Sequence, residues 1–192
     1  LLRIAVRREA GHGLVDLRVV EAHVEVGLGV ADEELDETAY RRQFTWAMHH
    51  RSMDVAPRLA RQLDLRRART LLDLGGGPGT YALAFMKKNL RLRATVCDRA
   101  PALAVAREIA EQSPVGHRLS YLPLDFIKHA IPGRYDVVWL SNVLHIYSPA
   151  ENRKLLRNIA RVLAPGGRLL IQEALLHDRH DLAPLGANLF AV

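Results

Sequence analysis

Apolar residues change their spacing near position 70, and that change divides the chain. From about Glu37 to Leu65 the spacing is helical: Phe44 and Met48 lie four apart, then Val55, Leu59 and Leu63 four apart, with an interruption near Pro57. This pattern predicts two helices covering a core. From Thr70 onward, short apolar runs alternate with helix-period stretches. Strands are predicted near 70–74, 92–97, 118–123, 135–140 and 168–173, and helices near 79–89, 101–112 and 149–164. Such alternation predicts an α/β fold, a parallel sheet with helices on both faces.

The last helix has the clearest boundaries. Ser148-Pro149-Ala-Glu151 combines an N-cap, a first-turn proline and a capping-box acid, Pro165-Gly166-Gly167 stops it, and Leu155, Ile159 and Leu163 supply its buried stripe. Residues 1 to about 35 mix apolar, charged and glycine residues, with a strand-like patch from Leu14 to Val26 to which the pattern assigns no role.

Composition fits a soluble enzyme domain. At 192 residues and 49% apolar composition the chain can bury one substantial core. No apolar run approaches the roughly 20 residues of a membrane span, and the start lacks a signal peptide's apolar core and an initiator Met. The chain therefore reads as a fragment. One cysteine, Cys97, excludes an internal disulfide, fits a reducing cytoplasm and is expected to pack as a small apolar residue. The net charge of +6 is not concentrated: residues 1–69 carry 12 basic and 11 acidic side chains and residues 70–192 carry 15 and 10. Arg153, Lys154, Arg157 and Arg161 fall near one helical face, read as solvated. No basic tract interleaved with aromatics suggests a nucleic-acid partner.

The chemistry concentrates at Asp73-Leu-Gly75-Gly-Gly77-Pro-Gly79, between a predicted strand and a predicted helix. Glycines there let a ligand lie against bare backbone. A triphosphate loop would end in Gly-Lys-Ser/Thr, but this one ends Gly79-Thr80 with no lysine until Lys87, and the dinucleotide spacing would put Thr80 where its third small residue belongs. The next strand ends in Asp98, 23 positions after Gly75. Asp98 either accepts the hydroxyls of a nucleoside ribose or caps the helix that follows.

In open parallel sheets ligands bind beyond the carboxyl ends of the strands. Two further segments occupy that position: Asp125-Phe126, an acid and a ring suited to an adenine, and Ser141-Asn142-Val-Leu-His145. His145 is either a proton acceptor or a histidine satisfied by backbone groups. Glu173 either orients it or is a strand-end salt-bridge partner. His49, His50, His177 and His180 show no helical metal pair with a supporting acid, so no metal is expected, and the cluster from Asp178 to Asp181 reads as a solvated loop.

Taken together, Asp73 to Gly79, Asp98 followed by Pro101, Leu124-Asp125-Phe126, Ser141 to His145 and Leu163-Ala-Pro-Gly-Gly-Arg168-Leu-Leu-Ile-Gln-Glu173 resemble the plant-type O-methyltransferase family. Phe44-Thr-Trp-Ala-Met48 resembles that family's helix before the first strand. The resemblance implies a Rossmann-like class I methyltransferase fold with S-adenosylmethionine as cofactor. It implies that the loop of Gly75, Gly77 and Gly79, with Asp73 before it, contacts the methionine part. Asp98 would then meet the ribose, Asp125 with Phe126 the adenine, and Ser141 would lie beside the cofactor. His145 matches the family's general base and Glu173 an acid that positions it.

A histidine suits such chemistry, because a phenol with pKa near ~10 is mostly protonated at neutral pH and an imidazole near ~6.5 can take its proton. The acceptor is expected to be a small aromatic or secondary-metabolite hydroxyl. Related readings are carbon or nitrogen methylation from the same cradle, or a non-catalytic interaction module. Ile146-Tyr147 stand where plant members carry Asp-Trp, which suggests a bacterial-type member. By the resemblance, residues 37–192 form the catalytic domain with its last strands missing, and residues 1–36 are an unassigned remnant. The full-length protein would be a cytoplasmic homodimer without membrane or nucleic-acid partners. The strand near Leu169 is expected to be an uncovered apolar edge, which would leave the chain alone poorly soluble or inactive.

Overall fold

A computed structural model of the chain describes residues 2–8, 15–21 and 37–173, the first two segments as backbone only. Strands are β1 (Leu2–Arg8), β2 (Val15–Glu21), β3 (Thr70–Leu74), β4 (Arg93–Asp98), β5 (Leu119–Pro123), β6 (Tyr135–Ser141) and β7 (Leu163–Glu173). Helices are α1 (Glu37–Ser52), α2 (Val55–Gln62), α3 (Thr80–Lys88), α4 (Ala100–Glu111) and α5 (Pro149–Val162). The strands form one seven-stranded sheet in the order β2-β1-β7-β6-β3-β4-β5. Its five members from β7 to β5 run parallel, as the alternating pattern predicts.

Side-chain alternation along the parallel strands splits the core in two. Leu71, Val96, Val137, Trp139 and Leu170 face α2, α3 and α4. Leu72, Leu74, Cys97, Val138, Leu140 and Ile171 face α5. On the first face the buried Trp139 meets Tyr81 and Phe85 of α3 at ring-centroid distances of 5.2 and 5.0 Å, which fixes α3 against the sheet. On the second, α5 buries Leu155, Ile159 and Val162 and leaves Arg153, Lys154, Arg157 and Arg161 in solvent. Its capping box is formed: Ser148 Oγ accepts from the Glu151 N–H at 3.3 Å, and the Ser148 N–H donates to Glu151 Oε2 at 2.9 Å. Cys97 is fully buried, and burial pushes its thiol up to about 12.

Four expectations change. The edge at Leu169 is covered, since β1 pairs antiparallel with β7 from Leu2↔Glu173 to Arg7↔Arg168, and β2, within the unassigned patch 14–26, pairs antiparallel with β1. Sequence periodicity does not specify a partner so distant in the chain. Next, β7 begins at Leu163 and not near 168, because Ala164–Gly167 bulge out between the pairs Tyr135↔Leu163 and Val137↔Arg168. The break between α1 and α2 falls at Met53–Asp54, and Pro57 sits in the first turn of α2, where its missing N–H is not needed. Finally, Phe44 does not cover the core: it is 50% exposed and stacks on Tyr40, while Thr45 is buried and Trp46 packs on the core. His177, His180 and the cluster 178–181 lie outside the described residues. Among those described, no helix is long and apolar enough to cross a membrane.

Candidate active site

Strand order reverses between β3 and β6: β4 and β5 lie on one side, β6 and β7 on the other. The cleft beyond the carboxyl ends of those two strands is where ligands bind in such sheets. Two loops meet there, Gly75–Gly79 after β3 and Asn142–Tyr147 after β6.

The glycine loop is shaped by close approach. Gly75 has φ +67°, and a Cβ on it would come 2.7 Å from Val143 Cγ2 of the opposite loop. A Cβ on Gly76 would stand 2.5 Å from the Asp73 carboxyl carbon beneath it. Asp73 is thus buried under the loop, 1% exposed. Burial drives its pKa up to about 7, with the Ala82 N–H opposing and the charge of Asp98 adding to the rise. Its Oδ2 has no hydrogen-bond partner among the described residues.

Asp98, at the tip of β4, turns its carboxylate to the same loop. Oδ2 accepts from the Gly77 N–H at 2.8 Å and Oδ1 from the Arg99 N–H at 2.7 Å. The N-cap of α4 is Arg99, with no side-chain capping bond, so Asp98 does not cap that helix. Burial raises its pKa, against the Arg99 and Gly77 N–H groups and the charges of Arg99 and Arg41.

Asp125 caps its own turn, Oδ1 accepting from Ile127 and Lys128 N–H at 3.1 and 3.2 Å. Its partial burial raises the pKa, but those N–H groups and the Lys128 ammonium outweigh it and hold the carboxyl below the usual range. Phe126 is buried, its ring packed beside Gly75 and edge-on to Tyr147 at 6.3 Å. Ser141 is half-buried and accepts from the Asn142 amide at 3.3 Å.

The second loop centres on one buried acid. Glu173 Oε1 lies 2.7 Å from His145 Nδ1, while Oε2 accepts from the Val143 and Leu144 N–H groups at 3.0 and 2.8 Å. One carboxyl therefore fixes both the ring and the backbone carrying it. Asn152 of α5 clamps the other side, donating to Leu144 O at 2.8 Å and Tyr147 O at 3.1 Å. His145 meets a carboxyl here and not backbone groups alone. Its ring is 27% exposed, at the edge of the cleft.

Sequence reasoning gave three residues here no role. Asn142, within the candidate segment after β6, is the only non-glycine with positive φ among the described residues, at +53°, a conformation that Asn tolerates better than most side chains. Its place after a strand was the available signal. Gln172 donates to Tyr81 OH at 3.1 Å and ties β7 to α3, and Asn152 acts from α5. Nothing local in the sequence announces either contact. Among the described residues, no group of three could hold a metal ion.

The sequence profile of the O-methyltransferase domain matches residues 15–190. The chain is 31% identical over 176 residues to the mitomycin biosynthesis 6-O-methyltransferase of Streptomyces lavendulae, covering 91% of the chain and 49% of that protein. It is 27% identical over 159 residues to the L-tyrosine C(3)-methyltransferase of the same species, covering 83% and 42%. A solved O-methyltransferase family 2 protein of Planctomyces limnophilus, in complex with apigenin, superposes with a TM-score of 0.73 at 32% identity, covering 83% of the chain and 51% of that protein. The chain spans about half the length of the curated relatives it matches.

Proposed function

The chain belongs to the O-methyltransferase domain family, and from that premise we propose that it methylates a hydroxyl of a small aromatic acceptor of secondary-metabolite type, using S-adenosylmethionine and His145 as general base. The observation that carries this reading is the 2.7 Å pairing of His145 with buried Glu173 at the strand-order reversal that also holds the glycine loop and Asp98.

The residues present fit the cofactor. Positive φ at Gly75, Gly77 and Gly79 turns a loop of side-chain-free backbone over the strand tips, and the Asp98 carboxyl beside it keeps lone pairs for the hydroxyls of a nucleoside. In this reading Gly75, Gly77 and Gly79 receive the methionine part, and Asp98 takes the ribose hydroxyls with its remaining lone pairs. Asp125 with Phe126 meets the adenine, and Ser141 lies beside the cofactor. Asp73 acts through the loop and does not touch the ligand. When bound, the cofactor supplies an electrophilic methyl group on a sulfonium.

Everything else falls to the chain's own groups. A carboxylate only accepts, so Glu173 keeps the proton of His145 on Nδ1 and turns Nε2 toward the acceptor as the proton-accepting nitrogen. Removing the acceptor's proton makes its oxygen a nucleophile, and the imidazolium that forms stays paired with Glu173. Rigid anchoring of the loop by Glu173 and Asn152 holds the acceptor in line, the larger source of acceleration.

Residues 37–192 make up the cofactor-binding catalytic part of this reading. His145→Ala should lower turnover on a phenolic acceptor by ~10²–10⁴ while leaving calorimetric affinity for S-adenosylhomocysteine unchanged. Retained turnover would point instead to carbon methylation with His145 as a positioning group, the reading favoured by the similarity to the tyrosine C(3)-methyltransferase. A folded chain that binds no S-adenosylhomocysteine would overturn both.

A further inference from the structure

Away from the active site, a cavity of about 520 Å³ lies among α1, α2, α3 and α4, within the range of small-molecule sites. It runs along the face of α3 that carries Thr80, Leu83, Ala84, Lys87 and Lys88. The opposite face of that helix, with Tyr81 and Phe85, packs on Trp139, so α3 stands between the cavity and the sheet. Leu83, Ile109 and Ala60 give it a buried apolar floor and Trp46 an aromatic wall.

Its mouth is cationic. Arg61, Lys87 and Lys88 line it and are exposed, and among the described residues no acidic side chain lines it. Lys88 Nζ donates to Arg61 O at 2.7 Å, which fixes one ammonium at the rim. Beside the start of α3, His49 Nδ1 lies 2.8 Å from the buried Thr80 Oγ1. Burial, then the charges of His50 and Lys87, lower the pKa of His49, so the lasting positive charge of the lining is that of Arg61, Lys87 and Lys88.

We propose that this cavity is a second ligand site, separate from the methyl-transfer cleft, that takes an amphiphilic carboxylate: an apolar body on Trp46, Leu83 and Ile109, and an anionic head among Arg61, Lys87 and Lys88. An apolar floor alone would accept any greasy molecule. A rim with three cations selects the anion, since charge-assisted hydrogen bonds are the stronger ones.

Decanoate, 1-decanol and decyltrimethylammonium, titrated below their micelle thresholds into the full chain, test this by calorimetry and by the emission of Trp46. The expected result is one decanoate per chain, with affinity unaffected by saturating S-adenosylhomocysteine and at least tenfold above that of the alcohol or the ammonium. Arg61→Glu with Lys87→Glu should weaken decanoate at least tenfold, and Ala84→Phe, which fills the cavity from its wall, should abolish binding. Both variants should keep their affinity for S-adenosylhomocysteine, which shows them folded. Equal binding of the alcohol, displacement by S-adenosylhomocysteine, insensitivity to either variant, or a chain dimer that excludes decanoate would each overturn the proposal.

Discussion

Asp73→Asn should make the chain more stable at alkaline pH and flatten its pH dependence. Asp73 is buried under the glycine loop, and burial raises its pKa from 3.8 to about 7. For an acid raised in the folded state, that state binds the proton more tightly than the unfolded chain. The carboxyl is therefore harmless below pH 4 and destabilises increasingly as pH rises toward 7. The rise is worth on the order of 4 kcal/mol in full, of which roughly 3 kcal/mol develops between pH 5 and pH 8. Other groups either titrate elsewhere or bend the profile differently. Glu108, Asp125 and Glu151 have lowered values, so their stabilising contributions are lost only at acid pH. His49, lowered by burial, destabilises as pH falls through 6.5, opposite in sign to Asp73. Asp98 is raised and keeps the same sign, so a residual slope will persist in the variant. Asparagine can still accept from the Ala82 N–H without the buried charge. Urea unfolding at pH 5 and pH 8, without ligand, reads the difference between the two proteins. Parallel losses of stability in wild type and Asp73→Asn would refute the reasoning.

Three other outcomes follow from the site. Glu173→Gln should lower kcat by up to ~10⁴-fold, as for carboxyls that orient a catalytic imidazole, with affinity for S-adenosylhomocysteine unchanged by calorimetry; a parallel loss of that affinity would mean that Glu173 only holds the fold. Gly75→Ala places a Cβ 2.7 Å from Val143 Cγ2 at φ +67°, so it should cost ~1–3 kcal/mol in urea unfolding and weaken S-adenosylhomocysteine at least tenfold. Ser148→Ala removes the formed capping box of α5 and should cost about 1 kcal/mol, read as a lower urea midpoint with unchanged slope.

What was legible in the sequence was what is local. The strand, glycine turn and helix at 70–88 declare themselves because each signal lies within a few residues of the backbone it shapes. The same holds for the capping box at Ser148–Glu151, whose two bonds span three residues. Contacts closed by the fold were not legible from periodicity. His145 and Glu173 lie 28 residues apart and are joined because β6 and β7 are parallel neighbours. Their pairing was reached through a family resemblance. The antiparallel seat of β1 on β7 has no local signature, and neither has the outward turn of Phe44, which a four-residue spacing alone assigned to the core. The cavity above α3 is assembled from four helices, and no single one of them advertises it.

Register ties these levels together. Between the pairs Tyr135↔Leu163 and Val137↔Arg168, β6 advances two residues while β7 advances five, so the bulge around Pro165-Gly166-Gly167 absorbs three residues before the regular ladder begins. From there each step is fixed up to Ser141↔Gln172, and side chains alternate between the two faces. Gln172 consequently falls on the α3 face, where it meets Tyr81, and Glu173 turns the other way to meet the loop after β6. A slip of one residue would exchange them, placing an amide where the imidazole needs a carboxyl and a buried charge against Tyr81 and Trp139. α5 ends at Val162, before the glycines, and Leu163, expected on its buried stripe, is the first residue of β7; Gly166 and Gly167 instead sit in the bulge that sets the phase of β7, and through it the partner of His145.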